Sequence, residues 1–266
     1  MLDPSRNHGT NTSRTATMIC VAALALSSFG FAWAWPNAPE IRLQGLVAWN
    51  PEEVFGFLNA DDAPLFHAIR RGGVDDVARL LADGEDPRQL WPGDGSPLIV
   101  AARRGLLDVS QLLIDSGAEV DHSVSGDGSP LIAAVQSGNL QMIELLLANG
   151  ADPNFAPGNG DGSPLIAASL RGHVGAVLAL LEHGAEINAH VVGDDTPLIN
   201  AAQQGHLDAL ASLLRAGADP WQTGDYDYVL GELRTPLNQA RANGHEVIVG
   251  ILDGSTPLDD VLRDDC

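Results

Sequence analysis

A seven-residue phrase constrains this chain more than any other feature. Gly-Asp-Gly-Ser-Pro-Leu-Ile runs from Gly93 to Ile99, again from Gly126 to Ile132 and again from Gly160 to Ile166. Weaker copies are Asp62-Ala63-Pro64-Leu65, Asp195-Thr196-Pro197-Leu198-Ile199 and Arg234-Thr235-Pro236-Leu237. The prolines fall at 64, 97, 130, 164, 197 and 236, in steps of 33, 33, 34, 33 and 39. A period near 33 means stacked supersecondary units, each burying its apolar face on its neighbours instead of in one globular core.

The unit follows from its residues. Pro suits the first helical turn, where its missing N–H is no loss, and the preceding Ser or Thr is a natural N-cap. Every one of the six prolines is followed by Leu, by Ala four residues on and by Gly eight residues on. Leu and Ala at this spacing share a helix face, and small Ala lets a neighbouring helix come close. The glycines at 72, 105, 138, 172, 205 and 244 end that helix. A second helix then carries apolar residues at i, i+3 and i+4, as in Ile143, Leu146 and Leu147, or Leu210, Leu213 and Leu214. In one unit Ser110 replaces the first of these. A further Gly, at 84, 117, 150, 184 and 217, stops the second helix and opens an extended loop.

These residues resemble the ankyrin repeat. The family's Thr-Pro-Leu-His-x-Ala opening stands here as Thr/Ser-Pro-Leu-Ile-x-Ala. Its Gly-His-Leu turn is matched at Gly205-His206-Leu207, and its Gly-Ala-Asp loop at Gly150-Ala151-Asp152 and Gly217-Ala218-Asp219. The family's His after Pro-Leu is absent, replaced by Phe66, Ile99, Ile132, Ile166, Ile199 and Asn238, so its hydrogen bonds are not assumed. The resemblance spans residues 61–254. It implies an all-α ankyrin-repeat solenoid of about six helix-turn-helix repeats with short β-hairpin loops, acting as a non-enzymatic module that binds a protein partner. The Gly-Asp-Gly-x-Pro-Leu-Ile wording is also loosely similar to repeats appended to bacterial membrane zinc-peptidase sensors, without any peptidase region.

The expected divisions are a signal peptide or membrane anchor at 1–34, and a linker with an N-terminal capping helix at 35–60. Repeats follow at 61–93, 94–126, 127–160, 161–193, 194–233 and 234–254, and an acidic tail at 255–266. The apolar run from Ala16 to Trp35 follows Arg6 and Arg14 and holds Ala32-Trp33-Ala34, an A-x-A-like cleavage site. It is also near the length that spans a bilayer. Cleavage after Ala34, an uncleaved anchor and a buried helix are the three readings. The first two place the repeats outside the cytoplasmic membrane, in a bacterial periplasm or secreted; an anchored chain would serve as an accessory or sensor subunit of an envelope system. Asn50-Pro51-Glu52-Glu53 reads as the start of the cap.

Charge narrows the partners. The chain has 35 acidic and 14 basic residues, a net charge of −21, and every basic residue is Arg. That excludes the basic footprint that nucleic acids and anionic lipid surfaces require, and favours a basic protein partner. High Arg, Ala and Gly suggest a GC-rich genome. Cys20 and Cys266 form no framework and no metal site. The histidines lack ligand spacing: His245-Glu246 is followed by Val249 where a zinc motif needs a second His. No metal, no cofactor and no catalytic set is expected, and a monomer is.

Two features carry the expected binding site. Asp94, Asp127, Asp161 and Asp194 recur one per hairpin, either as turn chemistry or as a strip for a basic segment. One carboxylate per turn does not make a calcium shell. The 39-residue step adds about six residues around Trp221–Leu230, including Tyr226 and Tyr228, the chain's two tyrosines. Insertions in repeats map to loops, often on the binding face, and aromatic residues carry interface energy. The alternative is that both rings pack the longer hairpin onto the next repeat. The partner is then expected on the hairpin tips and concave face, through Trp91, Asp94, Asp127, Asp161, Asp194, Trp221, Tyr226 and Tyr228.

Overall fold

The computed structural model describes residues 64–91, 95–124, 128–157 and 162–261. The expected signal or anchor, the N-terminal cap and residues 262–266 of the acidic tail lie outside these residues, as do Asp94, Asp127 and Asp161. The described part is built from helix pairs: α1 (Pro64–Arg71) with α2 (Val74–Ala82), α3 (Pro97–Arg104) with α4 (Leu107–Asp115), and α5 (Pro130–Ser137) with α6 (Leu140–Ala148). Then come α7 (Pro164–Arg171) with α8 (Val174–Glu182) and α9 (Pro197–Gln204) with α10 (Leu207–Arg215). A hairpin of β1 (Tyr226–Asp227) and β2 (Glu232–Leu233) precedes α11 (Pro236–Ala242), α12 (Glu246–Leu252) and the short α13 (Leu258–Val261). None of these helices is long and apolar enough to cross a membrane.

The first helices stack on one another, and so do the second helices. The repeated phrase does the local work. Ser96, Ser129, Ser163 and Thr196 each cap their helix by accepting from the backbone N–H three residues on, at 3.2–3.3 Å. Such a cap contributes about 1 kcal/mol. Thr235 and Asn238 form a full capping box on α11. Leu98, Leu131, Leu165 and the alanines at 101, 134, 168 and 201 are buried at the helix contacts. Truncating one such Leu to Ala costs about 2–5 kcal/mol, through lost transfer energy and the cavity left behind. Ser110 departs from this pattern: it is fully buried in the stack, and its hydroxyl has no hydrogen-bond partner.

Adjacent units are also joined by polar links. His206 Nε2 lies 3.1 Å from the Leu170 carbonyl, and His245 Nε2 lies 3.0 Å from that of Gln203. The turn histidines thus bridge units in a chain that lacks the family's other His. At Gly205 the backbone is left-handed (φ +77°), and a Cβ there would come within 2.5 Å of the His245 ring. Only glycine satisfies both demands. On the loop side, Asp121, Asn154 and Asn188 accept from the backbone N–H of Asp152, Glu186 and Asp219, at 3.0, 2.7 and 2.9 Å. The next residue in that register is Trp221, which cannot accept, so the series ends where the enlarged hairpin begins.

Candidate functional site

One backbone slot organises the tips of the units. The residue before each N-cap is Gly95, Gly128, Gly162, Asp195 or Arg234. The first three are glycines at φ +80°, +69° and +64°. Gly95 pairs with Trp91, and Gly128 with Val124, in single bridges. Asp195 holds the same left-handed backbone (φ +60°) and is the one non-glycine residue to do so among the described residues. An L side chain there costs about 1–2 kcal/mol, although Asp tolerates the region better than most.

The Asp195 carboxylate offsets that cost. Its side chain is 3% exposed. It accepts from the Asp225 backbone N–H at 2.7 Å and from Arg234 Nη1 at 2.7 Å. Gly224 has no side chain because any Cβ there would overlap the Asp195 carboxylate. Asp225 answers in the other direction: it accepts from the Gly193 backbone N–H at 2.6 Å and lies 3.3 Å from His190 Nε2. The tip at 190–195 and the enlarged hairpin are therefore fastened to each other by two reciprocal carboxylates.

A third carboxylate shapes the hairpin from inside. Asp227 accepts from the backbone N–H groups of Val229 (2.8 Å) and Leu230 (3.1 Å), from Gln239 Nε2 (3.2 Å) and from Arg234 Nε (3.4 Å). The Leu230 and Val229 N–H bonds, with Gln239 and Arg234 behind them, hold its pKa below the ordinary 3.8 against the opposing effect of burial. Arg234, spanning Asp195 and Asp227, is pushed further up, first by its bond to Asp195. It stays charged at every accessible pH.

With the polar groups turned inward, the apolar ones face water. In the register of the hairpin Tyr226 stands opposite Leu233, and Asp227 opposite Glu232. Paired residues share a face, so Tyr226 and Leu233 lie together on the side away from Asp227. Tyr226 is 48% exposed, Tyr228 91% and Val229 93%. The two tyrosine rings meet edge to face at 5.1 Å. A ring as exposed as Tyr228 is not packed onto the next repeat.

The other expected site residues divide. Trp221 is 69% exposed, and its backbone N–H is held by the Asp219 carboxylate at 2.9 Å. Trp91 is half-buried, and its ring lies against that of Phe66 with centroids 5.8 Å apart and planes tilted by 37°. Asp194 is half-buried, and its carbonyl accepts from Asn200 Nδ2. Its position, unlike that of Asp94, Asp127 and Asp161, lies within the described residues. Asp195, Asp225, Asp227, Arg234, Gln239 and His190 were not singled out from the sequence. One signal was available: a charged pair, Asp195 and Arg234, fills the slot where three copies carry glycine.

His190, Asp195 and Asp225 offer ligand atoms within 4.8 Å of one another, a grouping that their sequence spacing does not announce. Their carboxylates already accept from Arg234, from two backbone N–H groups and from the His190 ring. With a guanidinium seated on Asp195, the arrangement is that of a hydrogen-bonded clasp and not of a cation site.

Comparison with known proteins agrees with this architecture. A family model described as ankyrin repeats (3 copies) matches at residues 65–157, 98–191 and 131–224, so the matched stretch ends where the enlarged hairpin begins. No curated protein sequence matches. Among solved structures, the human ASB11 ankyrin repeat domain is similar, with 25% identity and a TM-score of 0.61 over 72% of this chain and 82% of that one. Ankyrin repeats typically act as non-enzymatic modules and generally mediate contact between proteins. With its period, its capped helix pairs and a match over most of the described residues, the chain belongs to the ankyrin-repeat family.

Proposed function

We propose that this chain is a protein-binding module that takes its partner on the enlarged hairpin between Thr223 and Arg234 and on the neighbouring tips. One observation carries the reading: Tyr226, Tyr228 and Val229 face solvent on a backbone that Asp195, Asp225, Asp227 and Arg234 hold from beneath. Rigid exposed aromatics bind at low entropic cost. Trp221 extends the surface. The recurrence of Asp94, Asp127, Asp161 and Asp194 and the net charge of −21 support a partner with a basic segment, bound by a monomer. A photoreactive residue replacing Tyr228 in the native host tests this. A discrete adduct is expected that is absent when Asp108, on the exposed start of α4, is replaced instead. Changing Trp221, Tyr226 and Tyr228 to Ala then weakens binding of the captured protein at least about tenfold. Unchanged affinity removes the hairpin as the site.

The run from Ala16 to Trp35 supports export, either as a cleaved periplasmic or secreted protein or as a repeat domain tethered to an envelope system. Intact mass and membrane fractionation separate the two: a soluble species starting near Trp35 means the free form, and a membrane-bound species with its first residues means the tethered one.

A further inference from the structure

The hairpin's own charges indicate what it accepts, given the docking role proposed above. Between residues 219 and 234 four carboxylates, Asp219, Asp225, Asp227 and Glu232, stand with a single guanidinium, Arg234. That guanidinium is already bound at both ends, to Asp195 and Asp227. The arginines that flank this stretch also lie beside carboxylates, Arg215 at 3.5 Å from Asp259 and Arg241 at 3.6 Å from Asp253. Glu232 is exposed and is bonded to the neutral Asn238 amide, and Asp219 is exposed and holds the Trp221 N–H. Among the described residues, neither has a cationic partner within ion-pair distance. Negative potential therefore surrounds an apolar platform.

The platform suits one kind of side chain. An edge-to-face tyrosine pair leaves ring faces open, and at Tyr228 nearly the whole ring is accessible. Aromatic faces attract guanidinium and ammonium groups, and nearby carboxylates add to that attraction. Tyr226 and Leu233, cross-strand neighbours on the same face, offer aliphatic and aromatic surface beside it. Val192 is also 82% exposed, on the tip joined through Gly193 to Asp225.

We infer that the Tyr226–Tyr228 face of the hairpin recognises an arginine or lysine side chain flanked by an apolar residue in the partner protein. The cation lies on the Tyr228 ring, and the apolar neighbour on Tyr226 and Leu233.

Selection of short random peptides displayed on phage against the purified full chain tests this without knowledge of the partner. Enrichment of peptides with Arg or Lys next to an apolar residue is expected. Tyr228→Phe keeps the ring face and should retain them. Tyr228→Leu keeps apolar area without the ring and should weaken them by about 3- to 30-fold, the worth of a cation–π contact. Tyr228 is too exposed for either change to unfold the chain. Enriched peptides without a cationic bias, or equal retention by the Phe and Leu variants, overturn the inference. If such peptides are still lost on changing Tyr226 and Tyr228 together to Ser, the hairpin remains a docking site for other chemistry. If enriched peptides ignore that double change, the docking site itself falls.

Discussion

The tip at 124–128 and the hairpin at 224–234 occupy equivalent places in their units and are stabilised by opposite means. The first is a single bridge, Val124 to Gly128, in which a left-handed glycine turns the chain and no side chain leaves the slot. In the second the slot belongs to Arg234, and the unit before it contributes Asp195 to the same cluster. A short tip needs only backbone geometry. An enlarged one must cover the entropy of its added residues, roughly 1–2 kcal/mol for each residue's backbone. It does so with the carboxylates of Asp195, Asp225 and Asp227, which leaves the Tyr228 ring unspent on packing.

Breaking the contrast has its largest effect at Asp195. Asp195→Ala strands the Arg234 guanidinium and the Asp225 N–H, and keeps a left-handed non-glycine backbone. A loss of about 3 kcal/mol is expected in urea denaturation, with hydrogen exchange rising first at 224–234. Asp195→Gly relieves the backbone and should be less damaging by about 1 kcal/mol. The converse, Gly128→Asp, puts the same residue at a tip where the next unit carries Gly162 in the slot of Arg234. It should cost about 2 kcal/mol, and a neutral result would mean that Asp195 needs no partner.

Acid sharpens the contrast, since Asp227 has a depressed pKa in the folded chain. Its contribution is fully present above the unfolded value and is lost as pH falls from about 4 through the folded one. The hairpin amides should therefore lose exchange protection in that window, and Asp227→Asn should abolish the pH dependence. Asp121, on the regular loop series, behaves oppositely. Burial raises its pKa, and the nearby Asp152 carboxylate adds to the rise against the Asp152 N–H bond. Its stabilising effect is fullest below the unfolded value and declines as pH rises through the folded one. Asp121→Asn, which copies Asn154 and Asn188, should gain about 0.5 kcal/mol at neutral pH, seen as a small rise in denaturation midpoint. The smallest expected change is Tyr228→Ser, within about 0.5 kcal/mol, because the ring packs on little but Tyr226.

The first helix of each unit was legible because it is written in strictly local terms: Pro, Leu, Ala and Gly at fixed offsets, with Ser or Thr before the Pro in all but the first unit. The same holds for the turn glycines and for the aromatic insertion, which a count of residues between prolines exposes. The clasp was not legible in that way. Asp195 meets Arg234 across 39 positions, and Asp225 meets Gly193 across 32. Nothing in the spacing of Asp225 separates it from Asp219 or from the surface acids of a chain with 35 of them. The contact of Trp91 with Phe66 was not legible either, because nothing local pairs residues 25 positions apart.

The clasp also has a mechanical meaning. On the loop side, three steps of the stack are joined by one or two side-chain hydrogen bonds, as where Asn154 accepts from the Glu186 N–H and donates to the Gly184 carbonyl, and such joints give when the ends are drawn apart. The step from α9 to α11 is riveted on its tip side by Asp195 and Asp225 as well. Under tension the solenoid should extend like a spring with one soldered coil, yielding elsewhere first. The surface that carries Tyr226 and Tyr228 would keep its shape while the rest of the molecule stretches.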